Sequence, residues 1–294
     1  MKALKLGIIG LSEGNGHPYS WSAIFNDYDK ERMSRCPFPV IPGYLADQHY
    51  PEAAIKNAKV THIWTQSKNI SEDVAKAAYI PVICEKMEEM IPCVDAILLA
   101  RDDAENHLSM VEPFLKAGLP VYIDKPIAYS VVEAEKIYAL EQYQGQIFTC
   151  SALLYSKELQ LNQAQRDSLG EILFIESQVM KSWKKYAIHI IDPVLNLINS
   201  KLHTSKVFKD ETTTKVEASC ENGIELSFTA HEVSQVPIEI RIFGTKGNVI
   251  LRFSDTFSAF KAALQSFVNI VQGVEVAQDR NTVLERIAII EKGY

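Results

Sequence analysis

The stretch VDAILLARDDAENHLSMVEPFLKAGLPVYIDKPIA, residues 94–128, reads as strand, turn, helix and strand, with a lysine closing the second strand. VDAILLA is a nearly unbroken apolar run that ends in polar residues, the pattern of a strand buried on both faces of a parallel sheet. From Ala104 to Ala117, Leu108, Val111, Phe114 and Leu115 recur at helical spacing, and Gly118 supplies a helix stop. VYI follows as a short buried strand, closed by Asp124-Lys125-Pro126. Ligands of open parallel sheets bind beyond the carboxyl ends of the strands, so Lys125 stands where chemistry is expected. An ammonium at the end of a buried strand is also costly to place without a partner or a task.

The amino terminus repeats the pattern. Residues 5–11, KLGIIGL, read as a first strand, followed by a glycine-rich turn and a helix from about Pro18 to Tyr28. Strand, glycine turn and helix are the context of a dinucleotide fingerprint. The turn departs from G-x-G-x-x-G: it runs Gly10-Leu11-Ser12-Glu13-Gly14-Asn15-Gly16-His17-Pro18, with Ser12 near the place of the second glycine. Gly10, Gly14 and Gly16 can let the backbone approach a pyrophosphate, and Pro18 suits a first helical turn. A glycine-rich loop with no ligand is the competing reading.

Residues 29–58 carry prolines at 37, 39, 42 and 51 among Cys36, Phe38, Tyr44 and Tyr50. This reads as an ordered irregular excursion, since linkers are seldom so aromatic. It is either a binding loop packed near the cofactor or a surface insertion with packing only. VTHIWTQ (60–66) reads as the second strand, with a helix from about Ser71 and Glu72 and Asp73 in its first turn. NAD-specific domains place an acid at this strand's end to bind the ribose diol. Here the end is Thr65-Gln66-Ser67-Lys68, so the sequence leans to NADP over NAD, with Lys68 as an ordinary solvated charge the alternative. PVIC (81–84) is a third strand, Glu85–Ile91 a short helix, 131–143 a helix and 146–154 a strand. Asp102 or Asp103 can cap the helix that follows the fourth strand.

Beyond residue 150 the pattern changes. A helix at 157–168 leads to the strand ILFIESQVM, and 203–210, 213–220, 224–231, 236–243 and VILRF read as further strands. Asn222-Gly223 between two of them is a hairpin signal. Two amphipathic helices, AFKAALQSFVNIVQG and TVLERIAIIEKGY, close the chain.

Asp124-Lys125-Pro126 resembles the Glu-Lys-Pro motif of Gfo/Idh/MocA-type oxidoreductases. His107 matches a histidine early in the family's preceding helix, and Gly118 a glycine before its last strand. The resemblance implies an α/β fold: an N-terminal Rossmann domain, residues 1–126 with an extension to about 150, and a C-terminal α+β domain, 151–294, built on a mostly antiparallel open sheet. It also implies hydride transfer to or from a sugar or sugar-derived alcohol, which can be nucleotide-linked, and homo-oligomers formed through the C-terminal sheet. The cofactor would meet Gly10, Ser12, Gly14, Asn15, Gly16, Ser67, Lys68, Arg101, Asp102, His107, Lys125 and Pro126. Arg101-Asp102-Asp103 stands where the family has Thr-Pro.

A second stretch matches the family in part. Its motif is an aspartate, a histidine four residues later and an aspartate three further on. His189 and Asp192 fit the last two positions, but Lys185 occupies the first, a reversal of charge. In a helix, Lys185, His189 and Asp192 share one face; alternatively Asp192, before Pro193, caps a new helix. Lys125, His189 and Asp192 are the expected catalytic residues. A histidine titrates near neutral pH and can exchange the hydroxyl proton, worth roughly 10²–10⁴ in rate. A lysine beside the reacting oxygen stabilises charge developing on it. Lys185 would weaken the proton affinity of His189, where an aspartate would raise it.

The whole composition fits this class. The 294 residues suffice for one large or two medium domains. A net charge of −7 argues against a general nucleic-acid binder. Five cysteines without a C-x-x-C pair read as free thiols of a cytoplasmic protein. The histidines show no metal-ligand spacing, and no apolar run approaches the about 20 residues of a membrane span. The rival reading keeps the fold, and binds a dinucleotide or sugar, as a regulatory protein without turnover. The altered glycine turn and Lys185 favour it; Lys125 and His189 favour the enzyme.

Overall fold

The apolar run at Ala96–Leu99 is a strand with all four residues buried, within a six-stranded parallel sheet. The structure, a computed structural model, describes residues 3–198 and 200–294. Two compact units emerge. The first takes the chain up to Ala128, Val132–Thr149 and Phe260–Arg280; the second takes Tyr129–Val131, Cys150–Ala259 and Asn281–Tyr294.

The first unit contains β1 (Leu4–Gly10), α1 (His17–Asn26), α2 (Lys30–Met33), α3 (Val40–Ala46), β2 (Ala58–Thr65) and α4 (Lys68–Ala77). It continues with β3 (Val82–Ile83), β4 (Ala96–Leu99), α5 (His107–Lys116), β5 (Val121–Ile123), α6 (Val131–Tyr138) and β6 (Ile147–Phe148). The strand order is β3-β2-β1-β4-β5-β6, with every pairing parallel. This is the doubly wound dinucleotide order, in which ligands bind at the strands' carboxyl ends where the order reverses beside β1. Leu6, Ile8, Ile9, Ile63, Leu98 and Ile123 are fully buried, each contributing about 1.5–3 kcal/mol. An aromatic chain joins α1 to the sheet: Trp21 stacks on Tyr122 at 4.8 Å, and Tyr122 meets Phe148 edge-on at 4.7 Å.

The second unit holds α7 (Gln163–Leu169), β7 (Ile172–Met180), α8 (Trp183–Tyr186), α9 (Ile188–Leu197), β8 (Leu202–Lys209), β9 (Thr213–Cys220), β10 (Glu225–His231), β11 (Glu239–Gly244) and β12 (Asn248–Arg252). Of the closing helices, α10 (Thr256–Val271) falls largely in the first unit's Phe260–Arg280 segment and α11 (Arg280–Lys292) in the second unit. The second sheet runs β12-β11-β7-β10-β9-β8 and is antiparallel except for the β7–β10 pair. Gly223, at φ +84°, turns the β9–β10 hairpin as the Asn-Gly signal predicts.

Several local expectations differ from the structure. Residues 29–58 are not irregular, because they contain α2 and α3. Asp29 caps α2 by accepting from Arg32 N at 2.9 Å, and Pro39 and Pro42 sit at the start of α3, where proline is tolerated. Helix α4 starts at Lys68 rather than Ser71, and Ser71 turns inward to accept from Thr65 N at 2.9 Å. Neither Asp102 nor Asp103 caps the helix after β4 through its side chain; Asp102 takes up Ser12 across the turn, and Asp103 takes up the side chains of Arg101 and Asn106. The 131–143 helix ends at Tyr138, and the 146–154 strand shrinks to Ile147–Phe148 before a 3₁₀ turn at Ala152–Tyr155. In the 157–168 region a 3₁₀ turn precedes α7, which Asn162 starts with a capping box. Asp192 lies inside α9, as does Pro193, so it is not an N-cap.

Candidate functional site

The polar groups of the first unit gather at the carboxyl ends of β1, β4 and β5. Asp124, which follows β5, is buried and accepts from three directions. His17 Nδ1 lies 2.5 Å from its Oδ2, Asn15 Nδ2 donates to the same oxygen at 2.8 Å, and Lys125 N donates to Oδ1 at 2.8 Å. Burial alone would raise this carboxyl. The charge and hydrogen bond of His17, the Lys125 ammonium and the Asn15 amide prevail and hold it at about 2. Asn15 Oδ1 also accepts from His17 N at 2.8 Å, which fixes the first residue of α1. The His17 ring stacks on Trp21 at 4.8 Å and meets Phe260 edge-on at 5.0 Å.

Asp102, beyond β4, is the second anchor. Ser12 Oγ donates to its Oδ1 at 2.8 Å and accepts from its backbone N–H at 3.1 Å. The Lys125 ammonium lies 3.8 Å from Asp102 Oδ2, with both side chains buried. Ser12, Asn15, Asp102, Asp124 and Lys125 thus form one linked set. Arg101 faces elsewhere. Its guanidinium grips Asp103 at 2.9 and 2.5 Å and reaches the Leu11 carbonyl and Gln66 Oε1, each at 3.1 Å. Burial opposes ionisation of Asp103, but Arg101 and Asn106 keep its carboxyl low.

The glycine turn is pinned at one end and open at the other. Gln66 accepts from Leu11 N at 2.9 Å and donates to Leu11 O at 2.5 Å. Gly10 ends β1. A Cβ at Gly16 would lie 2.5 Å from Ile41 Cδ1 and 2.6 Å from Phe38, so the 29–58 segment packs directly on this turn. Gly14 is exposed at φ +75°, with nothing within 4 Å of a Cβ position. The open backbone at Gly14, followed by the start of α1, fits a pyrophosphate; Glu13 is exposed beside it.

Other expected cofactor residues are dispersed. His107 is fully buried, with Nδ1 3.0 Å from Ile127 O and Nε2 2.9 Å from Arg101 O. The ring stands between the end of β4 and the segment after Lys125, and whichever nitrogen carries the proton donates to its carbonyl. Pro126 is buried beside Lys125. Ser67 occupies the N-cap position of α4 without a side-chain cap, and exposed Lys68 pairs with Glu85 at 3.6 Å.

In the second unit, His189 Nδ1 lies 2.7 Å from Ser151 Oγ, and Asp192 Oδ2 accepts from Ser151 N at 2.5 Å. Arg286 Nε stands 3.0 Å from Asp192 Oδ1, a charge contact rather than an aligned hydrogen bond. Burial pushes the Asp192 carboxyl up, with Arg286 and the Ser151 N–H pulling against it. Tyr186 tilts against the His189 ring at 5.5 Å. Lys185 belongs to α8 while His189 and Asp192 belong to α9, the two helices meeting at Ala187.

The sequence pointed to Lys125, His189 and Asp192 but passed over His17, Gln66, Ser151 and Arg286. Only His17 had a legible signal, as a histidine at the mouth of a glycine turn. Among the described residues no group of three or more His, Cys, Asp or Glu could hold a metal, and no helix is long and apolar enough to cross a membrane.

Comparison with known proteins agrees with the fold. Residues 41–151 match the Gfo/Idh/MocA family, described as "Oxidoreductase family, NAD-binding Rossmann fold". Among curated proteins, none matches the chain. Among solved structures, a Lactobacillus casei myo-inositol dehydrogenase in complex with NAD(H) and myo-inositol superposes with a TM-score of 0.74 at 12% identity, covering 99% of this chain and 93% of that one. An Agrobacterium radiobacter oxidoreductase in complex with NAD⁺, L-tartaric acid and magnesium gives 0.73 at 12%, covering 99% and 95%. Apo scyllo-inositol dehydrogenase from Lactobacillus casei gives 0.72 at 16%, covering 99% and 96%. At such identities the likeness is one of fold.

Proposed function

From the match of residues 41–151 to the Gfo/Idh/MocA oxidoreductase family, we propose a nicotinamide-dependent oxidoreductase that acts on a hydroxyl-bearing carbon of a sugar or cyclitol. The observation that carries the reading is Lys125, an ammonium at the carboxyl end of β5 with Asp102 beside it. A bound nicotinamide dinucleotide supplies the carbon that takes or gives the hydride. Lys125 orients the substrate oxygen and stabilises negative charge on it as the carbon–hydrogen bond changes. Asp102, through the ammonium, and Asp124, through the backbone N–H, hold that lysine in place. His189 exchanges the hydroxyl proton, with Ser151 setting its ring through Nδ1. Asp192 is a positioning residue, acting on the histidine through the Ser151 N–H.

Polyol substrates are supported by the inositol dehydrogenases of like fold. The 2′-phosphorylated cofactor is favoured by the missing acid at the end of β2 and by Ser67 and Lys68 there. Self-association through the second unit's sheet and a cytoplasmic location, in keeping with five free thiols, complete the proposal.

The test is Lys125→Ala. An enzyme of this kind loses at least about 100-fold in kcat while still binding the dinucleotide, measured by calorimetry beside a polyol activity screen. A second reading, a dinucleotide-binding regulator, is favoured by Lys185 at a family acid's position and by the Leu11 staple from Gln66 and Arg101. It expects tight dinucleotide binding with no polyol turnover in the unsubstituted protein.

A further inference from the structure

We infer that a cavity on the β1–β2 side of the first unit is a subsite for the 2′-phosphorylated adenosine end of a dinucleotide, with Arg32 and Arg35 as its anion-binding pair. This deepens the dinucleotide reading above and rests on it. The cavity measures about 460 Å³, and its walls include Leu11, Tyr19, Ile70, Arg32, Arg35 and Asp73. That size and its apolar floor suit a nucleoside. Leu11 follows β1, Tyr19 lies in the first turn of α1, and Ile70 and Asp73 lie in the opening turns of α4, after β2. The cavity therefore opens at the carboxyl end of the mononucleotide half that receives adenosine in doubly wound folds.

Its chemistry points to a phosphorylated ribose. A plain 2′-hydroxyl is normally held by an acid at the end of β2, and a 2′-phosphate by a nearby arginine. Here β2 ends in Thr65-Gln66-Ser67-Lys68, and the Gln66 amide is taken up by Leu11. Two arginines face the cavity instead, and they come from the 29–58 segment. The short helix that carries Arg32 is anchored: Asp29 N donates to Ala77 O at 2.9 Å, and Met33 is fully buried. The guanidinium groups themselves stay in water. Arg35 is 74% exposed and pairs with Glu31 at 2.5 Å; Arg32 is 55% exposed and lies 3.8 Å from Asp29. Such exposed pairs are weak and screened, so both arginines can turn onto a phosphate, which accepts their planar fork. Asp73 opposes a phosphate placed against it, but it can accept from a ribose hydroxyl.

Calorimetry on the full chain with adenosine 2′,5′-bisphosphate, 5′-AMP, NADPH and NADH tests the assignment, with an Arg32→Ala/Arg35→Ala double variant alongside. The bisphosphate should bind at least tenfold more tightly than 5′-AMP, and NADPH more tightly than NADH. The double variant should lose both preferences, with NADPH affinity falling to that of NADH, while the thermal midpoint of the free protein stays unchanged. Rising salt should erode the preference in the unsubstituted protein first. NADH binding with no preference for the 2′-phosphate, or a preference that survives in the double variant, overturns the subsite alone. Failure of all four ligands to bind overturns the subsite together with the dinucleotide reading.

Discussion

Asp124 is ionised by its neighbours. Its carboxyl is held at about 2, below the ordinary 3.8, because His17, Lys125 and Asn15 outweigh its burial. A depressed carboxyl binds its proton in the denatured state first. Its stabilisation is therefore complete above about pH 4 and is lost as pH falls toward 2, on the order of 2 kcal/mol. Asp124→Asn should flatten that part of the stability curve, read from urea midpoints between pH 5 and pH 2. A stability loss identical to that of the unsubstituted protein would rule out Asp124 as its source. Asp192 and Arg286 make a different kind of pair, both nearly inaccessible to water. Arg286→Met leaves a buried carboxylate unmatched and should cost about 3–5 kcal/mol, read as a lowered denaturant midpoint.

Among elements, the 29–58 segment departs most from its sequence reading. Its prolines read as breaks, yet two of them open a helix, and Phe38 and Ile41 cover Gly16. Gly16→Ala should therefore destabilise by about 1–3 kcal/mol, because a Cβ would drive into both side chains. An alanine at exposed Gly43, with nothing within 4 Å of its Cβ position, is the control and should not be destabilising. Thermal midpoints of the two variants decide the matter. Strands read better than helix ends. The runs at 94–100 and 121–123 were legible because burial on both faces leaves only apolar choices. The helix ends were not, because Ser71 turns back to the end of β2 and Asp102 takes up Ser12 in place of the caps that their spacing suggests.

For the molecule as a whole, ligand linkage gives a prediction. A dinucleotide bound at the β1 carboxyl end, at a hundred times its Kd, should stabilise the first unit by about 2.7 kcal/mol. A concentration-dependent rise in the thermal midpoint with NADPH or NADH would follow, and its absence with both would contradict the proposed function. The sequence alone determined the α/β class, the buried parallel-sheet character of the first unit's strands and the place of Lys125 after one of them, since apolar periodicity and turn residues act locally. Resemblance to a family motif also marked His189 and Asp192. Only the tertiary structure decided that Asp102 meets the Lys125 ammonium, that His17 pairs with Asp124, and that Gln66 and Arg101 pin the glycine turn. These partners lie 23, 107, 55 and 90 residues apart in the chain. Charge and hydrogen-bond complementarity act across space, and no periodicity along the chain encodes which distant side chains will share a strand end.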